Sequence, residues 1–406
     1  MYSVDEFLRI DELEVVGKTV LLRVDINSRV DGGKLHMTEK IARHAETIAH
    51  LSERGAKTVV ISHQGRPGDD RFITMEQHAE LLRRFVNVTY VDDIIGPAAR
   101  DAISGMWDGE VLLLENVRIL SEETLARSPD EHASSIFVRK LSPLCDIYIN
   151  DAFETAHRAH ASLVGFPMVM PSGIGLVTEE ELGSLTKFVE MEMRGRCVYM
   201  LGGGKLGDVL PFIKNQISSK SSIILTAGRV ANAFLSAEKG VESDVEDEYV
   251  RLAGDILRMK NAEKIKLPDD VALNVDGERV EVPVDELSKF GNAVRIYDIG
   301  GRTCDEYISI LRSADAILIK GPAGVYENEM FAEGTKKIFG AVANMNTFSL
   351  IGGGDTTTAL NAVGIEKSAF SYVSLAGGAL LKFLSGERLP ALDVLILSKK
   401  KWQNKL

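Results

Sequence analysis

Short apolar runs recur through the first 150 residues of the chain, and amphipathic segments separate them. Lys40–Arg54 and Met75–Phe85 carry apolar residues at helical spacing, so both segments are predicted as helices. Strands that alternate with helices favour a parallel sheet wrapped by helices. The runs that predict strands are Val20–Val24, Thr58–Ile61, Val111–Leu114 and Ile147–Ile149.

The same alternation resumes after a stretch rich in glycine and proline at residues 165–175. A helix is predicted over Thr178–Glu190, because Thr178 and Glu181 match a capping box and Leu182 and Leu185 follow at helical spacing. The strands predicted in this half are Val198–Leu201, Ile223–Thr226, Ile265–Leu267, Ala316–Ile319, Thr347–Ile351 and Tyr372–Leu375, with a surface hairpin over Asn274–Val284.

This pattern predicts an α/β protein with two Rossmann-like domains. A length of 406 residues is too large for one ordinary core. Each domain is expected to hold a mostly parallel sheet flanked by helices, and a hinge helix is expected to join the domains across a cleft. The expected boundaries are residues 1–175 for the N-terminal domain, 176–190 for the hinge helix, 191–390 for the C-terminal domain and 391–406 for a C-terminal tail, whose basic end, Ser398–Leu406, is expected to be peripheral.

The composition narrows the classes of partner. A net charge of −12 makes nucleic acid and anionic membranes poor partners. No run approaches the roughly 20 apolar residues of a membrane-spanning helix. The N-terminal segment is acidic, unlike a secretory signal, so we expect a cytoplasmic protein. The three cysteines are scattered, which argues against a disulfide framework or a zinc site. Because the net charge is negative, any anionic ligand must be held by a local basic cluster.

Polar and basic residues follow the predicted strands of the first half, at the edge where open α/β sheets bind ligands. Arginine forks suit a small ligand that carries phosphate and carboxylate groups. Any one arginine, taken alone, is more readily explained as a solvated surface side chain. Their shared position in successive βα units favours one site instead. The residues expected around this mouth are Asp25, Asn27, His63, Arg66, Arg118 and Arg158.

A glycine-rich turn in the second half predicts a phosphate site. Gly352–Gly354 lie between a strand and a helix, so backbone amides and the helix dipole would favour a phosphate. Asp355 places a carboxylate where a phosphate-bound Mg²⁺ needs one. The alternative, that Asp355 only caps the helix, is equally open.

Further turns in this half support the same prediction. Leu201–Lys205 adds a lysine to a glycine-rich strand end, although it is not a Walker A loop, and Ser374–Gly378 is a third such turn. Lys320–Glu327 ends in a carboxylate that would accept ribose hydroxyls, and a purely structural Pro-Gly turn is its alternative. Together these turns predict a cradle for nucleotide phosphates.

With these motifs in order, the chain resembles the phosphoglycerate kinase family over nearly its whole length. One such motif is weak support, whereas an ordered dozen is very specific. The motifs are RVDIN, SHQGRP, LLENVR, YINDAFETAHRAHAS, LGGGK, AGRVANAFL, IKLPDDVA, DIGGRT, KGPAGVYE, FAEGT, IGGGDTT and ERLP.

The resemblance implies a glycolytic and gluconeogenic kinase. Its reaction is reversible phosphoryl transfer between ATP and the carboxylate of 3-phosphoglycerate, which gives ADP and 1,3-bisphosphoglycerate. The implied cofactor is Mg²⁺ and the implied oligomeric state is a monomer. The N-terminal domain would hold the phosphoglycerate, the C-terminal domain would hold the nucleotide, and a hinge would close them.

Matched position by position, the resemblance also implies roles for single residues. In the first half, the residues that would bind phosphoglycerate are Asp25, Ile26, Asn27, Lys40, His63, Gln64, Gly65, Arg66, Arg118 and Arg158. In the second half, the residues that would bind the nucleotide are Lys205, Gly228, Pro322, Gly324, Glu327, Gly353, Gly354, Asp355 and Thr356, with Asp355 on Mg²⁺. The residues that would act in catalysis are Lys205, Lys40, Arg43, Gly354 and Gly377.

Several positions depart from the usual pattern of the family. Lys40 stands where arginine is usual, so either Lys40 supplies a point charge or Arg43, one turn later, reaches the site. Val209 replaces a second lysine, Lys320 replaces an asparagine and would restore a cation, and Ala376 would limit the approach of a phosphate. Two alternatives follow: a phosphotransferase for a different small acid, and a non-catalytic metabolite-binding protein that retained the fold.

Overall fold

The computed structural model describes residues 2–218, 222–241, 243–290 and 295–403, so the last residues of the tail expected at 391–406 lie outside the described ranges. The chain divides into two compact units. Unit 1 comprises Met1–Gly183 and Glu387–Leu406, and unit 2 comprises Ser184–Gly386.

Unit 1 is built on a six-stranded parallel sheet. Its strands are β1 (Thr19–Val24), β4 (Lys57–Ile61), β5 (Thr89–Val91), β6 (Val111–Leu114), β7 (Ile147–Asp151) and β8 (Ser172–Ile174), while β2 (Val30–Asp31) and β3 (Lys34–Leu35) form a separate antiparallel pair. The order across the sheet is β5-β6-β4-β1-β7-β8. The four central strands are almost entirely buried, which explains why they read as continuous apolar runs in the sequence.

Helices accompany this sheet, as the alternating pattern predicts. They are α1 (Glu39–Glu53), α2 (Glu76–Leu82), α3 (Pro97–Ser104), α4 (Pro129–Ala133), α5 (Ile136–Leu141), α6 (Ala161–Val164) and α7 (Phe166–Val169). The next helix, α8 (Leu176–Arg194), contains the boundary between the two units. The core of unit 1 includes Val20, Leu22, Ile41, Ile48 and Val60, so strands β1 and β4 pack against one face of α1.

Unit 2 repeats the parallel sheet and adds a small antiparallel one. Its strands are β9 (Cys197–Leu201), β10 (Ser222–Thr226), β11 (Ile265–Lys266), β12 (Asp270–Val275), β13 (Glu278–Pro283), β14 (Arg295–Ile299), β15 (Ala316–Lys320), β16 (Phe348–Gly352) and β17 (Tyr372–Ser374). The parallel order is β11-β10-β9-β15-β16-β17, and the antiparallel order is β13-β12-β14. The hairpin predicted over Asn274–Val284 is confirmed, with its turn at Asp276 and Gly277, both at positive φ.

The helices of unit 2 are α9 (Leu206–Gln216), α10 (Gly228–Lys239), α11 (Asp247–Leu257), α12 (Gly301–Leu311), α13 (Glu333–Ala343), α14 (Gly354–Ala362) and α15 (Gly378–Leu384). The last helix, α16 (Pro390–Trp402), belongs to unit 1. Ser398 on this helix is buried and donates to the Met170 carbonyl at 3.1 Å, so the first residue of the segment expected to be peripheral packs into the unit, whereas Lys400 and Lys401 are exposed. No helix in the described ranges has the length and apolar character needed to cross a membrane.

The fold class predicted from the sequence is confirmed for each unit. Five strands were not predicted. β2 and β3 have two residues each, β5 and β8 are three-residue strands at the two edges of the unit 1 sheet, and β14 is a mixed polar and apolar edge strand, so none carries a long apolar run.

Candidate active site

The loops after four neighbouring strands bring the basic residues of unit 1 together. β6, β4, β1 and β7 lie side by side in parallel, so their carboxyl ends share one edge of the sheet. Arg23 is near the end of β1, His63 follows β4, Arg118 follows β6 and Arg158 follows β7. We call Arg23, Arg118 and Arg158 the arginine cluster.

The arginine cluster concentrates positive charge inside the protein. Arg23 is fully buried, Arg118 is 8% exposed and Arg158 is half-buried. Burial lowers the pKa of Arg118 to about 10, and Arg158 and Arg23 contribute to that decrease. Burial also lowers the pKa of Arg158, and Arg66 and Arg23 add to the decrease against the opposing effect of Asp25. Because like charges repel strongly where water is excluded, this arrangement favours the binding of an anion.

Asp25 is the carboxylate that faces this charge. Its side chain is buried and accepts a hydrogen bond from the Asn27 amide at 3.1 Å. Burial raises the pKa of Asp25, but Lys40 and Arg23 lower it by more, so the pKa lies well below its ordinary value. Asp25 therefore stays ionised and is able to accept a hydrogen bond from a substrate hydroxyl.

A glycine turn ties two of the predicted ligand residues together. The Gly65 amide donates to Asn27 Oδ1 at 3.1 Å, and the Gly65 carbonyl accepts from Nη1 of Arg118. Gly65 has φ +64°, and a Cβ there would lie 2.4 Å from the Arg71 carbonyl oxygen. Only glycine fits this position without a shift of the backbone, so the turn fixes the distance between Asn27 and Arg118.

Not every predicted residue presents its side chain to a ligand. Ile26 is fully buried, and its amide donates to Ser62 Oγ at 3.3 Å. Gln64 is also fully buried, and its side chain bonds the Ser28 amide at 2.9 Å and the Ser28 carbonyl at 3.0 Å. Arg66, by contrast, is exposed. Ile26 and Gln64 thus support the loops around the arginine cluster through their backbone and amide contacts.

Lys40 and Arg43 have different partners. Lys40 forms an ion pair with Glu154, whose side chain is 11% exposed, whereas Arg43 forms an ion pair with Glu180 at the surface. Burial lowers the pKa of Lys40, but Glu154 and Asp25 raise it by more, so Lys40 stays charged. Lys40 thus interacts electrostatically with Asp25, as the arginine cluster does.

Glycine turns converge at the corresponding edge of the unit 2 sheet. β9, β15 and β16 are parallel neighbours, and the turns after them line one small cavity. We call these residues the glycine cradle: Gly202, Gly203, Gly204, Lys205, Val209, Lys320, Gly321, Gly352, Gly353, Asp355 and Thr356. The Thr356 hydroxyl donates to the Gly352 carbonyl at 2.6 Å and accepts from the Gly321 amide at 2.7 Å, so it joins two of the turns.

The backbone of the glycine cradle requires glycine at particular positions. Gly353 has φ +92° and directly precedes α14, so the first amides of that helix face the cradle without intrahelical partners. Gly321 has φ +85°, and a Cβ there would lie 2.3 Å from the Gly202 carbonyl oxygen. These amides and the helix dipole form the kind of site that binds phosphate.

The cations of the glycine cradle occupy different environments. Lys205 is 56% exposed and lies 3.0 Å from Asp355, which is 59% exposed. Lys320 is only 5% exposed, and its Nζ donates to the Gly377 carbonyl at 3.4 Å. Burial lowers the pKa of Lys320 to about 8, and Lys205 adds to this decrease. The N-cap of α14 is Gly353, so Asp355 pairs with a lysine and is not the capping residue.

A larger cavity of about 350 Å³ adjoins the glycine cradle in unit 2. Gly203 and Gly204 line both spaces. Gly228, Pro322, Gly324 and Glu327, for which the family resemblance implies nucleotide binding, also line it, together with Asn232 and Tyr297. Its volume lies in the range of small-molecule sites. The cavity and the cradle together offer room for a nucleoside beside a phosphate site.

Comparisons with known proteins agree with this arrangement. The family model described as phosphoglycerate kinase matches residues 10–387. The chain belongs to the phosphoglycerate kinase family. It is 45% identical to the phosphoglycerate kinase of Methanothermobacter thermautotrophicus over 403 residues, which cover 96% of this chain and 97% of that protein. It is 40% identical to the Saccharolobus solfataricus phosphoglycerate kinase, with 96% of each chain covered.

Solved structures of the family are similar to this chain over nearly its whole length. The Pyrococcus horikoshii phosphoglycerate kinase has a TM-score of 0.87 and 36% identity, and covers 97% of this chain and 100% of its own. The Coxiella burnetii phosphoglycerate kinase has a TM-score of 0.79 and 30% identity, with 96% and 99% covered. The chain is thus a kinase that transfers a phosphoryl group reversibly between ATP and 3-phosphoglycerate, which confirms the predicted family, fold class and reaction.

Three further residues belong to these sites in the structure but were not predicted from the sequence. Arg23 stands in the RVDIN motif but was not predicted as a site residue, because a motif at the end of a strand does not indicate that its arginine is buried. Glu154 stands in the YINDAFETAHRAHAS motif, and its contact with Lys40 spans 114 residues. Asn232 carries no sequence signal beyond the AGRVANAFL motif.

Proposed function

We propose that the arginine cluster and its neighbours form the 3-phosphoglycerate site of this kinase. The observation that carries the proposal is that three buried or half-buried guanidiniums lie at or after the ends of neighbouring strands at one edge of the sheet and, with Lys40, interact electrostatically with one buried carboxylate, Asp25. A phosphate and a carboxylate on one small substrate would balance this excess of positive charge. The residues assigned to the site are Asp25, Ile26, Asn27, Lys40, His63, Gln64, Gly65, Arg66, Arg118 and Arg158.

The glycine cradle and the adjoining cavity are assigned to ATP or ADP. The cradle would hold the phosphates with backbone amides and Lys205, and the cavity would hold the nucleoside. Lys320 adds a second, buried cation to the phosphate site, which compensates for Val209. The residues assigned to the nucleotide are Lys205, Gly228, Pro322, Gly324, Glu327, Gly353, Gly354, Asp355 and Thr356.

Asp355 fits a Mg²⁺ ion that is shared with a nucleotide. Within the described ranges, no three His, Cys, Asp or Glu side chains are grouped to hold a metal ion by themselves. Mg²⁺ in kinases is commonly held by one or two carboxylates together with substrate phosphates, and the Asp355 carboxylate is exposed at the edge of the glycine cradle. When bound, Mg²⁺ would neutralise charge on the phosphates.

The chemistry assigned to the protein is positioning and charge neutralisation. The substrate carboxylate is itself a nucleophile, so the transfer needs no covalent intermediate with the enzyme. Lys205, Lys40 or Arg43, and the amides of Gly354 and Gly377 would stabilise negative charge on the transferred phosphoryl group. Glu154 would hold Lys40 in place before the substrate binds. Exclusion of water by domain closure would protect ATP from hydrolysis.

The remaining assignments concern the organisation of the enzyme. We assign residues 1–175 to phosphoglycerate binding, 176–190 to a hinge helix, 191–390 to nucleotide binding and 391–406 to a C-terminal segment. Hinge bending would bring the two substrates together in a cytoplasmic, monomeric enzyme. Small-angle scattering with and without both substrates tests closure, and analytical ultracentrifugation tests the monomer.

The experiment that tests the function is a coupled assay of 1,3-bisphosphoglycerate formation from ATP and 3-phosphoglycerate, with and without Mg²⁺. We expect turnover only with Mg²⁺. Tight binding of both ligands without turnover would favour the non-catalytic metabolite-binding alternative. A larger kcat/KM with another phosphorylated acid would indicate a different acceptor.

A further inference from the structure

His63 lies at one end of a chain of buried side chains. Glu123, Ser162 and Arg23 are fully buried, and His63 is 2% exposed. Ser162 Oγ lies 2.7 Å from Glu123 Oε1 and 2.9 Å from Arg23 Nε. Arg23 Nη2 lies 3.0 Å from His63 Nδ1. The Ser162 amide also donates to Glu123 Oε2 at 2.8 Å, so the glutamate end of the chain is held at both oxygens.

The direction of each hydrogen bond follows from the chemistry of the groups. A guanidinium has donors only, so Arg23 must donate to both Ser162 Oγ and His63 Nδ1. The Ser162 hydroxyl accepts from Arg23, and its own proton points to Glu123. Nδ1 of His63 must therefore carry a lone pair, which leaves the ring proton on Nε2.

We propose that Glu123, Ser162 and Arg23 are positioning residues that fix His63 as the neutral tautomer with its proton on Nε2. Nε2 makes no hydrogen bond to another residue in the described part of the chain, so its N–H is available to a ligand. The use of this donor rests on the proposed function: it would bind an oxygen of the 3-phosphoglycerate phosphate.

The surroundings of His63 favour the same state. Burial lowers the pKa of His63 well below its ordinary value, and Arg23, Arg118 and Arg158 lower it further against the opposing effect of Asp25. A charged imidazolium would add one more cation to the arginine cluster, whereas a neutral ring with a fixed N–H supplies a directed hydrogen bond at no such cost.

Nitrogen-15 NMR of the full-length enzyme labelled at histidine tests this proposal directly. With His63→Gln to assign the signals, we expect Nδ1 of His63 in the unliganded enzyme to resonate as an unprotonated ring nitrogen and Nε2 as a protonated one, from pH 8 down to about pH 6, below the ordinary pKa of about 6.5. A protonated Nδ1, or a doubly protonated ring, in this range would overturn the proposal. The result itself is read from the wild-type enzyme, and His63→Gln serves only to assign its signals.

Variants of the chain test whether these residues fix the tautomer. In Ser162→Ala, Arg23 loses its Nε partner, so the His63 signals should move toward an average of the two tautomers. Glu123→Gln weakens the acceptor for Ser162 and should act in the same direction with a smaller shift. Ser172→Ala is the matched control, because Ser172 is a fully buried serine of the same unit whose hydroxyl donates to the Met170 carbonyl at 2.9 Å. Unchanged His63 signals in both Ser162→Ala and Glu123→Gln would overturn the proposal.

Calorimetry with 3-phosphoglycerate links the tautomer to substrate binding. We expect Ser162→Ala to raise the Kd for 3-phosphoglycerate about tenfold, the size of one misdirected hydrogen bond to a charged group, and Ser172→Ala to leave it unchanged. If the wild-type enzyme does not bind 3-phosphoglycerate at all, the proposed function is wrong, and the NMR result still decides the tautomer by itself.

Discussion

The two units offer different chemical groups to an anionic ligand. Unit 1 uses side chains: the arginine cluster is held by hydrogen bonds within buried loops, and its charges depress one another's pKa values. Unit 2 uses the backbone: the glycine cradle offers the first amides of α14, which have no intrahelical partners, helped by Lys205 and Lys320. The first design stores unfavourable electrostatic energy, whereas the second requires backbone conformations that only glycine adopts at low cost.

This difference determines which amino-acid substitutions each site will tolerate. Guanidinium forks fix the position of a small ligand with several charged groups, so loss of one arginine should weaken binding without altering the fold of the site. Backbone amides recognise phosphate through shape, so a side chain added at Gly321 would displace the turn itself. Charge is therefore the sensitive property of unit 1, and backbone geometry is the sensitive property of unit 2.

The largest expected effect that separates the units is their response to acid. All eight histidines precede residue 161, so they lie in unit 1. Burial lowers the pKa of His78 to about 4 and that of His160 to about 3, and also lowers those of His63 and His132. The unfolded state therefore binds more protons below about pH 6.5, so the stability that these histidines contribute is lost as the pH falls toward 3–4.

Three groups oppose this trend in unit 1, and one does so in unit 2. Burial raises the pKa of Glu123, Glu154 and Glu179, so the folded state of unit 1 gains protons there as the pH falls. Burial raises the pKa of Asp298 in unit 2 to about 6, which stabilises that unit as the pH falls through 6. We expect the free energy of unfolding of unit 1 to fall relative to unit 2 by about 1.4 kcal/mol per pH unit for each excess proton.

Hydrogen exchange measured at pH 7 and pH 5, corrected for the intrinsic rates, compares the two units. Amides of β1 and β4 should lose protection, and amides of β9 and β15 should not. His78→Gln removes one of the titrating groups and should reduce the difference. Equal loss of protection in both units would contradict the prediction.

The next largest effect is expected on the nucleotide side. Lys205→Ala removes a cation that is assigned to charge on the transferred phosphoryl group, so kcat should fall about 100- to 1000-fold. KM for 3-phosphoglycerate should change much less, because Lys205 belongs to unit 2. Steady-state kinetics measures both constants. Lys214→Ala, an exposed lysine on α9, is the control, and an unchanged kcat in Lys205→Ala would refute the role.

A smaller effect is expected on the phosphoglycerate side. Arg158→Ala removes one charge-assisted contact to the substrate, so the Kd for 3-phosphoglycerate should rise about 10- to 100-fold. The Kd for ADP should stay nearly constant. Calorimetry with each ligand separates the two, with Arg139→Ala at the exposed end of α5 as the control. A parallel loss of ADP affinity would mean that the roles assigned to the domains are wrong.

The fold was largely predictable because the central strands of both sheets are buried and apolar. β5, β8 and β14 were not predicted, since short edge strands carry little apolar signal. The positions of His63, Arg118 and Arg158 were predictable from strand ends, which meet at one edge in any parallel sheet. Their burial was not, because it depends on how the loops pack.

Side-chain contacts between residues far apart in the sequence could not be predicted for the site. Whether Lys40 or Arg43 faces Asp25 depends on their partners Glu154 and Glu180, and the first of these contacts spans 114 residues. The link from Glu123 to Ser162 spans 39 residues and joins a loop to α6. No local pattern encodes such pairs, although each decides the charge or orientation of a residue in the site.

Lys320 tests whether unit 2 binds anions through its backbone alone, because it is a buried side-chain cation within the glycine cradle. Burial lowers its pKa to about 8, so the amine carries a proton below that pH and loses it above. Bound phosphate would favour the charged form, so ADP affinity should fall by up to about tenfold as the pH rises from 7 to 9.

Calorimetry in buffers of different ionisation enthalpy should show proton uptake on binding near pH 8.5. Lys320→Met should abolish this uptake and flatten the pH dependence, whereas Lys214→Met should not. If Lys320→Met keeps the same pH dependence as the wild-type enzyme, the buried lysine does not meet the phosphates, and unit 2 recognises them through its backbone and Lys205.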